Sequence, residues 1–202
     1  MRTLSVIGAL LLAGCAVEAD RPGAVQDSAA AGPQRVDGGS SAAPDSAAAS
    51  AGTADPRVLT EHGLGPLRIG MSADDARAAL GEMELDEPLN GPDPEGCRYA
   101  MSDRMPGTWL MFEGMRLVRV DVDSTYATSQ DARIGQTEAQ VLALYPGARV
   151  EPHHYVDGHY LVVIPGAPAD TLHRLVFETD GSRVTALRGG EYPSVEYVEG
   201  CA

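Results

Sequence analysis

Lysine is missing from this 202-residue chain. All 15 basic side chains are arginine, set against 29 acidic ones, for a formal net charge of −14. So acidic a chain lacks the basic footprint that displaces counterions from a phosphate backbone, which excludes nucleic acid as a partner. Long apolar runs are missing too. Only Met1–Leu12 is apolar enough for a membrane, and it falls short of the roughly 20 residues a spanning helix needs. Cysteine is scarce, three residues in all and none in Cys-x-x-Cys spacing, which argues against a thioredoxin-like redox pair. Signatures of catalysis are absent as well. There is no Gly-x-Ser-x-Gly, no His-Glu-x-x-His and no Gly-x-x-x-x-Gly-Lys, and Gly63-Leu64-Gly65 lacks the third glycine of a dinucleotide fingerprint. The expectation is a non-catalytic protein without a cofactor.

What is present begins at the amino terminus. Met1-Arg2 supplies a positive charge, Leu4 to Leu12 form an apolar core of secretory length, and Leu12-Ala13-Gly14-Cys15 closes it. This tetrapeptide resembles the lipobox of bacterial lipoproteins, whose precursors are cleaved before the cysteine and acylated on it. The resemblance implies a signal peptide over residues 1–14 and lipid attachment at Cys15. Ala16, in place of the aspartate that retains such proteins in the inner membrane, implies the outer membrane with the folded part facing the periplasm. Several acyl chains anchor stably where one is marginal. The alternative is an ordinary secretory signal in which Cys15 has no role. With no lysine and an acylated terminus, the mature chain would carry no free amine.

Residues 15–57 read as the lipid anchor and a disordered tether. From Ala16 to Arg57 there are 42 residues, of which 27 are Ala, Gly, Ser or Pro, and Val17, Val25 and Val36 are the bulky aliphatics. Such a segment cannot bury enough surface to offset its ordering entropy. As a flexible coil it reaches about 35 Å.

The remaining residues repeat themselves. Arg68-Ile69-Gly70 recurs as Arg133-Ile134-Gly135, and Leu110-Met111-Phe112-Glu113 as Leu175-Val176-Phe177-Glu178, both at one shared offset. Ser72 and Thr137 stand where N-caps belong, and Asp75 and Gln140 complete capping boxes. Apolar residues then follow on one helical face, at Ala76, Ala79 and Leu80 and at Val141, Leu144 and Tyr145. Gly81 and Pro146-Gly147 end the two helices. Hairpins are expected at Glu113-Gly114, Asp157-Gly158 and Asp180-Gly181. On the last, Leu175, Phe177, Val184 and Ala186 would share the core face, and Leu110, Phe112, Met115 and Leu117 would form the equivalent core. The expected class is therefore α+β, two tandem repeats over residues 58–126 and 127–202, each a short helix packed on antiparallel strands.

This pattern resembles the fold shared by β-lactamase inhibitor protein and the SmpA/OmlA-type lipoproteins over roughly residues 63 to 190. The latter are small outer-membrane lipoproteins, one of them an accessory of the β-barrel assembly machinery. The resemblance implies protein binding.

Three groups of side chains are candidates for a role. Cys97 and Cys201 remain after Cys15, and an oxidising compartment makes them a disulfide pair. His153, His154, Asp157 and His159 have metal-ligand composition, but a turn at Asp157-Gly158 would bring only His154 and His159 together, with Asp157 a weak third. A site needs three or four converging ligands, so solvated turn histidines are expected and no metal. The third group is an apolar surplus. Trp109, Met111, Val118, Val120 and Val122 would face away from Leu110 and Phe112, with Arg116 nearby, as partner-binding surfaces do. Alternatively, the repeats fold over one another or a bulge flips the register. The leading expectation is an outer-membrane-anchored periplasmic module that binds another envelope protein. The alternatives are an inhibitor of an envelope or secreted hydrolase, and a small-molecule or metal-binding protein.

Overall fold

Two short helices form where the capping residues place them. The computed structural model describes residues 55–87 and 95–201, so the signal peptide, Cys15 and the tether up to residue 54 lie outside the described residues. Helix α1 spans Ala73–Leu80 and α2 spans Glu138–Leu144. The Ser72 and Thr137 hydroxyls accept from the backbone N–H groups of Asp75 and Gln140. At Thr137 the box is reciprocal, because Gln140 Oε1 accepts from the Thr137 N–H at 2.8 Å. Gly81, at φ 78°, ends α1, and Tyr145 caps α2. At one to two turns each, neither helix is stable alone, and both depend on packing.

They pack on sheet. Strands β1 (Val58–Thr60), β2 (Gly63–Leu64), β3 (Leu67–Arg68) and β8 (Ala127–Thr128) form a small sheet in the order β3-β2-β1-β8. The larger sheet holds β4 (Glu84–Leu85), β5 (Cys97–Met101), β6 (Thr108–Glu113), β7 (Arg116–Val122), β9 (Arg149–Pro152), β10 (His159–Val163), β11 (His173–Thr179) and β12 (Val184–Glu191). Its order is β4-β5-β6-β7-β12-β11-β10-β9. The expected α+β class is therefore corrected: the described residues are mostly β, twelve strands in two sheets with two short α-helices. The physical reason is the seam. Strands β7 and β12 pair antiparallel from Leu187 opposite Val122 to Gly190 opposite Arg119, so strands read as two helix-on-hairpin units join into one continuous sheet. The order is symmetric about that seam, and matching bridges join Ser72 to Arg116 and Thr137 to Arg183.

One face of the large sheet carries the main core. Leu110, Phe112, Leu161, Leu175, Phe177 and Leu187 meet Leu59, Leu64 and Leu67 of the small sheet and Ala76, Leu80 and Val141 of the helices. Burying each large side chain contributes about 1.5–3 kcal/mol.

Register differs from expectation at two bulges. The β6–β7 turn is Gly114-Met115, both at positive φ, with Glu113 opposite Arg116, a geometry that suits a tight hairpin. A bulge between Met111 and Phe112 then leaves Phe112 opposite Leu117 and Met111 opposite Arg119, with Val118 between them. Val120 lies opposite Leu110, so Val120 and Val122 belong to the core face, contrary to the expected apolar surplus. Met115 sits in the turn, half-buried against the core. A second bulge between Glu178 and Thr179 puts Ala186 opposite Glu178. Leu187, not Ala186, therefore joins Phe177 and Val184 in the core.

The other face is covered by the carboxy-terminal tail. A 3-10 turn at Ser194–Glu196 places Val195 against Tyr160, Val162 and Val176. The expected disulfide joins Cys97 to Cys201 across a sequence separation of 104. Two buried arginines hold the tail from beneath. Arg119 Nη1 donates to the Tyr197 carbonyl at 2.7 Å while its other nitrogens grip Asp121. Arg188 Nε donates to the Val195 carbonyl at 2.6 Å, and its Nη1 donates to Glu178. Each guanidinium thus satisfies a tail carbonyl that would otherwise be buried without a partner.

Candidate functional site

The tail decides which of the expected partner-binding residues remain accessible. Met111, Val118 and Val120 are buried. Met111 faces the tail side, Val120 the core. Arg116 is exposed at the hairpin end, where it makes a bidentate pair with Glu191. Trp109 alone of the apolar candidates stays open, 41% exposed. It lies opposite Asp121, at the end of the sheet away from the 3-10 turn and the tail carbonyls gripped by Arg119 and Arg188.

Around Trp109 the surface is concave on both sides. One cleft of about 510 Å³ is lined by Trp109, Tyr99, Asp121, Asp123, Ile134 and Leu187, among others. A second of about 650 Å³ is lined by Trp109, Met101, Asp103, Glu82, Glu84 and Arg77, among others. Met101 follows Tyr99 by two residues in β5, so it shares the face of Trp109, and it is 43% exposed. The result is an apolar ridge, Trp109 beside Met101, between two hollows rimmed by carboxylates. Among the described residues Arg77 is the one basic residue lining either hollow, and it is paired with Asp74 at 2.9 Å. Asp121 is already held by Arg119. Burial, reinforced by Asp121, raises the Tyr99 phenol above its ordinary pKa, and its hydroxyl lies against Gly200 of the tail.

The arrangement offers an apolar contact surface with acidic edges. It suits an apolar side chain flanked by positive charge. Met101, Ile134 and Asp123 were not legible as site residues because they come from separate segments of the chain. The one usable signal was the alternation of Met101 with Tyr99 along β5.

The histidine group does not assemble. Strands β9 and β10 pair with His159 opposite Pro152, so residues 153–158 form a longer loop, closed by the His153 N–H donating to the Gly158 carbonyl at 2.9 Å. The expected two-residue turn at Asp157-Gly158 is corrected for a steric reason. Gly158 lies against the β11–β12 turn, where a Cβ would stand 2.1 Å from the Thr179 carbonyl oxygen. His153 stacks on Tyr160, ring centroids 4.5 Å apart, and its Nδ1 accepts from the Tyr155 and Val156 N–H groups. His159 turns to Glu138 at 2.9 Å. His154 and Asp157 therefore do not share a site with it.

The Glu138 contact has a pH consequence. Burial would raise its carboxyl, but hydrogen bonds from Thr179 and His159 outweigh that and hold it below the ordinary carboxylate range. A depressed carboxylate stabilises the fold above its unfolded pKa, and that contribution is lost as pH falls through the folded value. Wild type is expected to lose more Tm than Glu138→Gln between pH 6 and about pH 3, by differential scanning fluorimetry. Equal losses would remove Glu138 from the acid response.

No protein-family model and no curated protein matches this chain. Among solved structures it is similar to the crystal structure of the uncharacterized protein YfeY from Escherichia coli, at 14% identity and a TM-score of 0.43, over 66% of this chain and 99% of that one.

Proposed function

We propose that this chain is a non-catalytic protein-binding module of the bacterial envelope, tethered through acylated Cys15 to the periplasmic face of the outer membrane. Its binding anchor is Trp109. The observation that carries this reading is the exposure of the sole tryptophan, on a ridge between two concave surfaces, on a sheet face that the tail otherwise covers. Exposed tryptophan in a concave setting is the side chain most often found at the energetic centre of an interface. The carboxylate rim selects a partner segment with an apolar residue between basic ones, and steers it in at low salt. The tether of residues 15–57 lets the domain search for that segment at a distance from the membrane. The Arg-Ile-Gly resemblance to SmpA/OmlA-type lipoproteins and β-lactamase inhibitor protein supports the same reading, because both groups bind proteins.

Since Trp109 is the only tryptophan, its fluorescence reports this site and no other. Peptides carrying one aromatic or aliphatic residue between arginines are expected to shift its emission to the blue with saturation. Raising the salt should weaken the effect. Replacing the arginines by glutamates should abolish it. An emission spectrum unmoved by every basic-apolar peptide would sink the assignment of Trp109. The anchor has its own test. Cys15→Ala is expected to abolish incorporation of a labelled fatty acid and to move the protein out of the membrane fraction, and a labelled Cys15→Ala protein would contradict lipidation there.

A further inference from the structure

A group of metal-ligating side chains lies on the other side of the molecule from the histidine loop's expected site, built by two segments far apart in sequence. In the β1–β2 hairpin Thr60 is opposite Gly63, so Glu61 and His62 are its loop. Strand β1 crosses β12 at Gly189, where a Cβ would stand 2.6 Å from the Thr60 carbonyl oxygen. The bare backbone there lets the hairpin lie close. Gly189 is opposite Leu175 in β11, so the hairpin loop overhangs the start of β11 at His173. The rings of His62 and His173 are 4.4 Å apart.

Asp170 joins them from the loop that precedes β11. Its Oδ1 accepts from the Leu172 and His173 N–H groups at 2.9 and 3.2 Å, which fixes the carboxylate and directs Oδ2 at the imidazoles. Oδ2 is 2.7 Å from His173 Nδ1 and 3.7 Å from His62 Nε2. Glu61 Oε1 is also 3.7 Å from that Nε2. Among the described residues, His62, Asp170 and His173 each offer one ligand atom, all within 4.8 Å of one another. Donors around a tetrahedral zinc-type ion, with bonds of about 2.0–2.1 Å, stand about 3.3 Å apart. The His62 spacing lies about 0.4 Å from that, the His173 hydrogen bond at 2.7 Å would open by about 0.6 Å, and the His62 side chain, 52% exposed, can move at little cost.

We propose that His62, Asp170 and His173 bind a divalent transition-metal ion of the zinc class. Two imidazoles with a carboxylate favour zinc, nickel or copper over magnesium or calcium. The backbone donors on Asp170 supply the outer orientation that such ligands need. The ion would tie the β1–β2 hairpin of the small sheet to β11 of the large one. This site is independent of Trp109.

The full chain, titrated with zinc chloride by isothermal calorimetry and followed by imidazole NMR, tests it. One equivalent is expected to bind, shifting the His62 and His173 resonances and leaving His153, His154 and His159 in place. Calcium chloride should shift none of them. His62→Gln and Asp170→Asn are each expected to weaken zinc binding by about tenfold or more, whereas His154→Gln should bind as wild type does. His62→Gln lies in an exposed loop and its fold is checked by the unchanged signals of the other histidines. Absence of saturable binding, equal affinity in His62→Gln, or shifts confined to the 153–159 loop would overturn the proposal.

Discussion

Arg188→Ala is expected to destabilise the domain by about 3–5 kcal/mol, measured by urea unfolding. Arg188 is 2% exposed, and its removal takes away two things at once. The Val195 carbonyl loses its donor, and Glu178 loses its arginine partner on a face covered by the tail. Breaking a buried pair from one side costs more than replacing the whole pair. Nη2 of Arg188 finds no hydrogen-bond partner among the described residues, so the native arrangement is itself imperfectly satisfied. The double variant Arg188→Met with Glu178→Leu is accordingly expected to recover the part of the loss that comes from Glu178, while the Val195 carbonyl stays without its donor. A single variant that costs under about 1 kcal/mol would mean that the tail does not need its arginine support, since a surface pair is worth no more than that.

The second large effect is expected from Cys97→Ser with Cys201→Ser. In the chain-entropy view, a loop closed over a separation of 104 residues contributes about 4–5 kcal/mol, and native disulfides of small domains contribute about 2–5 when measured. The consequence here is local as well as global. Cys201 pins the end of the tail to β5, and the tail is what covers Tyr160, Val162 and Val176. With the bridge gone, local opening of the tail should increase dye binding to exposed apolar surface before the main core unfolds. Hydrogen exchange should locate that opening at residues 192–201 and at their contacts on β7 and β12. Unchanged stability in the paired serine variant would assign the tail's attachment to Arg119 and Arg188 alone.

These two predictions rest on the tail that covers one face of the sheet, which is not among the alternatives the sequence offers. The caps at Ser72 and Thr137, the helix ends and the Cys97–Cys201 pair were legible because each depends on short-range chemistry or on there being few candidates. The sheet registers were not. An alternating run such as Leu117-Val118-Arg119-Val120 has one face only if pairing is regular, and a one-residue bulge moves every residue beyond it to the other face. That bulge is why Val120 and Val122 proved to be core. The class was misread for a related reason. Repeated motifs indicated two units, but nothing local in Val122 or Leu187 says that β7 and β12 will pair with each other. The covering tail was illegible because Val195 and Val198 sit in a short segment without periodicity. Arg119 and Arg188 were given no part by the sequence, since arginine is rarely buried unless paired, and the tail carbonyls they hold leave no trace in a side-chain pattern. Within the candidate site, the sequence singled out Trp109 and the structure kept it. It lost Met111, Val118 and Val120 because all three are buried, and it gained Met101 from the neighbouring strand.

The most direct measurement of the central claim is in-cell photo-crosslinking from position 109, compared with positions 150 and 155, which are exposed elsewhere on the domain. Amine-reactive reagents are unsuited to a chain without lysine. The account predicts one specific adduct from 109, recovered with the outer membrane, absent from 150 and 155, and lost when the crosslinking group is kept at 109 but Glu82 and Glu84 are changed to arginine. A folded, abundant protein that gives no adduct from 109, or the same adducts from all three positions, would contradict it.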